Sequence, residues 1–94
     1  MRTIERSSAF KRDYKRVKAT PQHRPDVDGL LLATVAVLAD DQALPESLQD
    51  HPLNGVWSNY RECHLKPDLL LIYRKADADT LGLARLGSHS ELFG

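Results

Sequence analysis

The sequence predicts one small α+β domain over residues 1–94, in which an N-terminal helical hairpin packs on a small antiparallel β-sheet. Two observations predict this order. Apolar residues recur at helical spacing before residue 40, and short apolar or alternating runs separated by turn residues follow residue 59. The length of 94 residues and the hydrophobic content of 41% are typical of one globular domain with a small core.

A short strand over Thr3–Arg6 and an amphipathic helix after it are the first two predicted elements. Ser7 or Ser8 is the expected N-cap, because a serine side chain accepts hydrogen bonds from the free amides of the first turn. The helix ends at Thr20-Pro21, since the residue before a proline avoids helical geometry. Its buried stripe consists of residues at i, i+4 and i+7: Phe10, Tyr14 and Val17.

The formal net charge of zero hides a basic first helix. Residues 1–24 contain eight basic and two acidic residues, net +6, whereas residues 25–60 contain six acidic and no basic residues, net −6. The cations that surround the apolar stripe are Lys11, Arg12, Lys15, Arg16 and Lys18. A solvated helix face is the commoner fate of such charges, and contact with a nucleic-acid backbone is the functional alternative.

The second helix is predicted to open at Pro25-Asp26 and to end at Asp40-Asp41. Proline suits the first turn of a helix, and an acidic residue there complements the helix dipole. Its buried stripe is Val27, Leu30, Leu31, Val35 and Leu38. Further apolar residues widen this stripe, so we expect this helix to be the more buried of the two. Together the two helices form an αα-hairpin.

Residues 40–59 are predicted to be a loop, because proline, asparagine and glycine interrupt them. Three strands follow, at Tyr60–Leu65, Leu69–Tyr73 and Thr80–Leu86. Their short connections make neighbours antiparallel, and the apolar run of the middle strand is typical of a strand covered on both faces. In the third strand, alternation places Arg85 on the face of Leu83 and Leu86 on the opposite face. Residues 88–94 have room for one helical turn.

Histidine, aspartate and arginine are concentrated in the second half of the sequence, at His51, His64, Asp68, Arg85 and His89. No histidine pair has zinc-finger spacing, and Cys63 and His64 would point to opposite faces of one strand. A zinc site and a Cys–His nucleophile are therefore both disfavoured. As a set, these residues supply what metal-independent RNA cleavage needs: a base, an acid and a cation for the phosphate. Surface or turn histidines are the alternative, and the residues alone leave both interpretations open.

Neither a membrane span nor a secretion signal is predicted. The longest apolar stretch, Leu30–Ala39, is shorter than the roughly 20 residues that a span requires. The residues after Met1 lack the apolar core of a signal peptide. The one cysteine, Cys63, excludes an internal disulfide and fits a reducing compartment. We therefore expect a cytoplasmic protein with no membrane partner.

Two ordered motifs in the second half resemble those of a known toxin family. The run Asp50–Asp68, DHPLNGVWSNYRECHLKPD, resembles the signature D-H-P-L-x-G-x-W-x-x-Y-R-x-x-H-x-x-P-D of YafQ-type toxins. These toxins belong to the RelE/ParE superfamily of type II toxin–antitoxin systems. The tail Arg85–Gly94 resembles the family's closing R-x-G-x-H-x-x-L-F-G, and Leu70–Tyr73 resembles its L-I-Y core.

The resemblance implies an mRNA endonuclease that cleaves in the ribosomal A site and uses no cofactor and no metal. Its implied partners are the ribosome, mRNA and a cognate antitoxin, in a toxin–antitoxin hetero-oligomer that binds operator DNA through the antitoxin. The implied fold is RelE-like, a small antiparallel sheet backed by two helices. The family's functional positions correspond to His51, His64, Asp68, Arg85, His89 and Phe93.

Roles within this set follow from the chemistry of phosphodiester cleavage. His89 is assigned as the general acid, because it comes just after the strand that carries Arg85 and both can reach one phosphate. Arg85 neutralises charge that develops on the phosphate oxygens. Asp68 is the first choice for the base. A carboxylate is a weak base at neutral pH, so His51 or His64 is expected to assist it or to bind phosphate instead.

The resemblance also implies RNA contacts outside the acid–base set. Phe93 would stack on a base, with a C-terminal anchor packed on the core as its structural alternative. The cations of the first helix would contact the ribosomal RNA backbone. Leu69 stands where close relatives carry tryptophan, and it offers no stacking face.

Two other functions share this overall pattern. A ParE-like toxin has the same fold but inhibits DNA gyrase and lacks the catalytic set. A non-enzymatic regulator would act only as an antitoxin-bound repressor complex. The five candidate catalytic residues favour the endonuclease, and cleaved mRNA as opposed to arrested replication would distinguish it from the gyrase inhibitor.

Overall fold

A computed structural model describes all 94 residues and has three helices and a five-stranded sheet. The elements are, in chain order, β1 (Thr3–Arg6), α1 (Ser8–Ala19), α2 (Val27–Ala39), β2 (His51–Pro52), β3 (Arg61–Lys66), β4 (Leu69–Asp77), β5 (Thr80–Gly87) and α3 (His89–Phe93). Single 3₁₀ turns lie at Glu46–Leu48 and Gly55–Trp57. The predicted α+β class, its helices and its strands are confirmed. None of the helices has the length and apolar character needed to cross a membrane.

The strand order in the sheet is β1-β5-β4-β3-β2. Strands β3, β4 and β5 pair antiparallel as predicted, but β1 pairs in parallel with β5, with Thr3 opposite Thr80. The sheet is therefore mixed. Helices α1 and α2 and strands β2 to β4 lie between β1 and β5 along the chain. No short turn therefore imposes antiparallel pairing of β1 with β5. The two-residue strand β2 lies within the predicted loop and extends the opposite edge of the sheet.

Helix α1 is joined to β5 through its N-cap residue, Ser7. The Ser7 side chain accepts a hydrogen bond from the Phe10 N–H at 2.9 Å, as an N-cap does. Its hydroxyl donates to the Ala84 carbonyl of β5 at 2.8 Å. Phe10 and Val17 are buried below the helix as predicted, whereas Tyr14 of the predicted stripe is half-buried. Asp13 is buried between Phe10 and Val17.

Helix α2 is less buried than its composition predicts. Val27 and Leu38 are buried, but Leu31 and Val35 are only half-buried and Leu32 is 73% exposed. The prediction that α2 is the more buried helix holds narrowly, with four buried residues against three in α1. The predicted widening of its stripe is wrong at Leu32, because the sheet covers only the opposite side of the helix. The exposed residues line an apolar depression together with Ile4, Phe10 and Leu83, which we name the α2 groove.

The sheet separates two apolar cores. The larger core lies on the side of α1 and α2 and contains Leu69, Leu71 and Tyr73 from β4. The smaller core lies on the other side and contains Leu70 and Ile72 with Leu92 of α3. Strand β4 is thus covered on both faces, as its continuous apolar run predicts.

A β-bulge in β5 changes which residues share a face. Tyr73 pairs with Leu83 but Ile72 pairs with Arg85, so the residue between them is an insertion in the ladder. As a result, Leu86 lies in the larger core with Leu83. The prediction that Leu86 occupies the opposite face is wrong, because strict alternation does not anticipate an inserted residue.

The single cysteine lies deep in the larger core. Cys63 is 0% exposed, and burial raises the pKa of its thiol to about 12. We expect iodoacetamide at mildly alkaline pH to leave Cys63 unmodified in the native protein, because the protonated thiol is both inaccessible and a poor nucleophile. The same reagent should label it fully in urea, as measured by mass spectrometry. Rapid labelling of the native protein would contradict this prediction.

Candidate active site

Most of the predicted catalytic residues lie around one end of the sheet. The end of β3, the beginning of β4 and the end of β5 meet there, because β4 runs antiparallel to both neighbours. The register places His64 opposite Leu70, and Leu70 opposite Gly87. At a strand spacing of about 4.8 Å, the backbones of His64 and Gly87 are roughly 10 Å apart. The other candidates adjoin these strands: His51 in β2, Asp68 in the turn before β4, and His89 at the start of α3.

Two of the predicted histidines share a buried carboxylate that sequence reasoning missed. Glu62 is 4% exposed, and its Oε1 atom lies 3.6 Å from His51 Nε2 and 3.4 Å from His64 Nε2. The Nδ1 atom of His51 is 2.7 Å from the Gln49 carbonyl, which only accepts, so Nδ1 carries a proton and Nε2 faces the carboxylate. Burial of an ionised carboxylate is costly without a partner. The two imidazole rings are the nearest side-chain partners of Glu62.

A signal for Glu62 was present in the sequence. It precedes His64 by two residues, and side chains two apart along a strand point to the same face. His51 joins them only because β2 pairs with β3, with His51 opposite Glu62. A strand of two residues has no recognisable pattern, so this second contact was not predictable.

Asp50 fixes the segment that carries His51. Its Oδ1 atom accepts hydrogen bonds from the Tyr73 hydroxyl at 2.6 Å and from Arg61 Nε at 3.2 Å. Burial, followed by the hydrogen bond to Asp50, raises the pKa of Tyr73 above its usual 10.0. These three residues belong to the motifs that carry the family resemblance, and here they hold the site in place.

Asp68, the first choice for the base, is exposed in the turn between β3 and β4 and has no hydrogen bond or ion pair with another side chain. The next residue, Leu69, is 0% exposed in the larger core. Leu69 therefore presents no surface to a base, in agreement with the expectation from its side chain.

Arg85 is held by a second buried carboxylate that sequence reasoning did not select, Asp13 of α1. Arg85 donates from Nε to Asp13 Oδ2 at 2.6 Å and from Nη2 to Oδ1 at 3.2 Å. The Leu86 N–H donates to Oδ2 at 3.0 Å. Burial would raise the pKa of Asp13, but hydrogen bonds from Arg85, Leu86 and Arg16 together hold it below its usual 3.8. The Arg85 side chain remains 27% exposed.

Helix α3 presents His89 and Phe93 at the surface. A capping box fixes its start: Ser88 Oγ accepts from the Glu91 N–H at 3.2 Å, and Glu91 Oε1 accepts from the Ser88 N–H at 2.8 Å. Leu92 is buried in the smaller core and anchors the helix. The rings of His89 and Phe93 lie 5.1 Å apart. Because Leu92 provides the anchor and Phe93 is 38% exposed, the Phe93 ring is accessible for stacking.

The predicted cations of α1 fall into two groups. Lys11, Arg12 and Lys15 are exposed and have no side-chain hydrogen bond or ion pair. The other two are paired: Arg16 with Asp13 and Glu91, and Lys18 with Asp28 of α2. Three of the five cations of α1 that were predicted to contact RNA are thus free to bind phosphate.

Sequence comparison extends the resemblance over nearly the whole chain. A family model described as "Bacterial toxin of type II toxin-antitoxin system, YafQ" matches residues 2–94. The mRNA interferase toxin YafQ of Escherichia coli strain K12 is 36% identical over 93 residues, which is 99% of this chain and 97% of that protein.

Solved structures agree with the sequence comparison. A copper-bound mutant toxin from Helicobacter pylori has a TM-score of 0.85 at 37% identity, covering 99% of this chain and 100% of that one. A chain of the E. coli DinJ–YafQ complex has a TM-score of 0.82 at 35% identity and full coverage of both chains, 100% each. The copper is a feature of the H. pylori protein; here no three histidine, cysteine or acidic side chains are arranged to hold a metal ion. The chain belongs to the YafQ family of bacterial type II toxin–antitoxin toxins.

Proposed function

We propose that this chain is an endoribonuclease toxin that cleaves mRNA on the ribosome in the cytoplasm and is neutralised by a cognate antitoxin. The observation that carries this proposal is the grouping of His64, Arg85 and His89 around one end of the sheet. The E. coli relative named mRNA interferase supports the enzyme class.

In the proposed reaction, the RNA 2′-oxygen attacks the adjacent phosphorus while its proton passes to a base. The bond from phosphorus to the 5′-oxygen breaks, and that oxygen takes a proton from an acid. The products are a 2′,3′-cyclic phosphate and a 5′-hydroxyl. His89 is the acid, Arg85 neutralises the phosphate oxygens, and Asp68 is the base. Side chains supply every group in this scheme, so it requires no protein-bound metal.

The pair formed by His51 and His64 completes the site. Glu62 lies within 3.6 Å of both rings and holds them at the site, where one ring binds a phosphate oxygen. The other ring, when neutral, assists Asp68 in removing the 2′-proton. Which ring fills which role is tested by single alanine variants: loss of the phosphate-binding ring should raise KM, whereas loss of the assisting ring should lower kcat.

The activity is tested with purified protein on ribosomes programmed with a defined mRNA. Cleavage that leaves 5′-hydroxyl ends is expected, and it should persist when the protein is treated with a chelator before it meets the ribosomes. Intact message at enzyme excess would overturn the proposal. Expression without a partner should arrest growth with cleaved mRNA; arrested replication with intact mRNA would support the gyrase-inhibiting alternative.

The free cations of α1 are expected to bind ribosomal RNA. Replacing Lys11, Arg12 and Lys15 together with glutamine should weaken ribosome binding. The slope of log affinity against log salt concentration should also become less steep by about two to three. Each lost phosphate contact lowers the magnitude of that slope by about 0.7–0.9. Arg24→Gln, beyond the end of α1, is the control and should leave the slope unchanged. An unchanged slope in the triple variant would identify α1 as a solvated face.

The α2 groove is the proposed docking surface for the antitoxin. Exposed apolar surface marks interaction sites, and Leu32 in this groove is 73% exposed. Leu32→Glu should weaken antitoxin binding by about 10- to 100-fold, since burial of a leucine contributes about 1.5–3 kcal/mol. Val56 is 94% exposed elsewhere, so Val56→Glu is a matched control. If calorimetry gives the two variants equal affinity for the antitoxin, the antitoxin does not dock in the α2 groove.

A further inference from the structure

Helix α1 covers an edge of the sheet that no strand occupies. Strand β1 pairs with β5 only as far as Leu83, and beyond that point side chains of α1 contact the β5 backbone. Asp13 accepts from the Leu86 N–H at 3.0 Å, and Arg16 Nη2 donates to the Leu86 carbonyl at 3.0 Å. The two side chains thus satisfy the backbone groups that a neighbouring strand would otherwise pair.

The contact between Asp13 and Arg85 leaves part of the guanidinium available. Asp13 accepts hydrogen bonds from Nε and Nη2 of Arg85, whereas Nη1 has no hydrogen bond within the protein. A guanidinium is a rigid planar fork, so a carboxylate on one edge fixes the direction of the other donors. Asp13 is 3% exposed and accepts four hydrogen bonds, so it is itself held firmly.

The same carboxylate is connected to helix α3. Arg16 donates from Nη1 to Asp13 at 2.8 Å, and its Nε lies 3.0 Å from Glu91 Oε2. Glu91 closes the capping box at the start of α3, next to His89. One continuous chain of ion pairs therefore joins α1, β5 and α3.

We propose that Asp13 is a positioning residue of the active site, which orients Arg85 directly and fixes the helix that carries His89 through Arg16 and Glu91. This inference rests on the proposed endoribonuclease activity, in which Arg85 and His89 act on one phosphate. In this proposal Arg16 links Asp13 to Glu91, a role distinct from the RNA contact predicted from sequence.

The first test is a double-mutant cycle between Asp13 and Arg85. Asp13→Asn retains the side-chain shape but loses the charge, and misplacement of a catalytic group by about 1 Å costs on the order of 100-fold. We expect a fall in kcat of about 10- to 100-fold with a small change in KM. In an Arg85→Lys background, Asp13→Asn should cost clearly less than in the wild type, because the oriented fork is already gone and only the link to α3 remains to be lost. Independent, multiplicative losses would show that Asp13 does not act through Arg85 and would overturn the proposal.

Gly87 offers a second variant that disturbs the network with a small change. A Cβ atom at this position would lie 2.7 Å from Arg16 Nη2 and 3.0 Å from Glu91 Oε1. Both atoms end flexible side chains, so Gly87→Ala should fold while it forces the ion pair apart. In the same strand, a Cβ at Gly82 would meet only Arg74 atoms, at 3.7 Å and 3.8 Å, and Gly82→Ala is therefore the matched control. We expect about a tenfold loss of kcat for Gly87→Ala alone; equal kcat for the two variants would contradict the link to α3.

A measurement without RNA separates this proposal from the activity itself. In ¹⁵N NMR spectra of the wild-type protein, the Arg85 Nε–H should be protected from exchange by Asp13, and Asp13→Asn, which keeps one acceptor oxygen but loses the charge, should reduce that protection. An unprotected Arg85 Nε–H in the wild type would overturn the positioning role even if the enzyme cleaves. Protection in a wild-type protein that leaves mRNA intact would instead refute the proposed function.

Discussion

His89→Ala is expected to lower the rate of mRNA cleavage on ribosomes by about 100- to 10,000-fold, which is the usual contribution of a general acid. The departing 5′-oxygen is a poor leaving group unless it is protonated. His89 is exposed at the start of α3, directly after the strand that carries Arg85. Its ring contacts Phe93 and forms no ion pair, so its removal should leave the fold intact.

The role of His89 can be separated from a general loss of structure. Ser90→Ala, at the next exposed position of α3, is the control and should retain the wild-type rate. An RNA with sulfur in place of the scissile 5′-oxygen needs no acid, since a thiolate leaves unprotonated. His89→Ala should therefore cleave this RNA at close to the wild-type rate. Near wild-type cleavage of ordinary mRNA by His89→Ala would exclude this assignment and make His64 the next candidate.

Arg85→Lys is expected to lower kcat by about 100- to 1,000-fold, the cost of removing one donor that stabilises developing charge. Lysine keeps the positive charge beside Asp13 but lacks the planar fork that binds two oxygens at once. The lysine variant should therefore fold, bind antitoxin with unchanged affinity and fail in catalysis. Retained cleavage would show that charge alone is sufficient at this position.

Arg85→Gln distinguishes the catalytic from the structural part of this contact. It leaves the Asp13 carboxylate, which is 3% exposed, without its main cationic partner. Removal of one member of a buried ion pair typically costs about 3–5 kcal/mol of unfolding free energy. Thermal unfolding should therefore show a marked loss of stability for Arg85→Gln and a much smaller one for Arg85→Lys. Equal melting temperatures would indicate that the pair contributes little to the fold.

The sequence alone determined the helices, every strand except β2, and the family. The periodicity of α1 and the apolar run of β4 are local properties of neighbouring residues. The bounds of α1 were predicted closely, as was the start of β4, but β4 continues beyond its apolar run to Asp77. The motifs around His51, His64 and His89 were readable because each is contiguous in the chain. The resemblance that they carry is supported by the comparisons over residues 2–94.

Only the tertiary structure decided how the candidate residues are held. Asp13 and Arg85 are 72 residues apart in sequence, and no periodicity relates them. The contact of His51 with Glu62 depends on a two-residue strand, and the face of Leu86 depends on an inserted residue in β5. Burial of a carboxylate requires partners wherever the chain brings them, so these pairings are properties of the packed fold. Local sequence patterns determine where helices and strands form, whereas the partners of a buried charge are determined only when those helices and strands pack together.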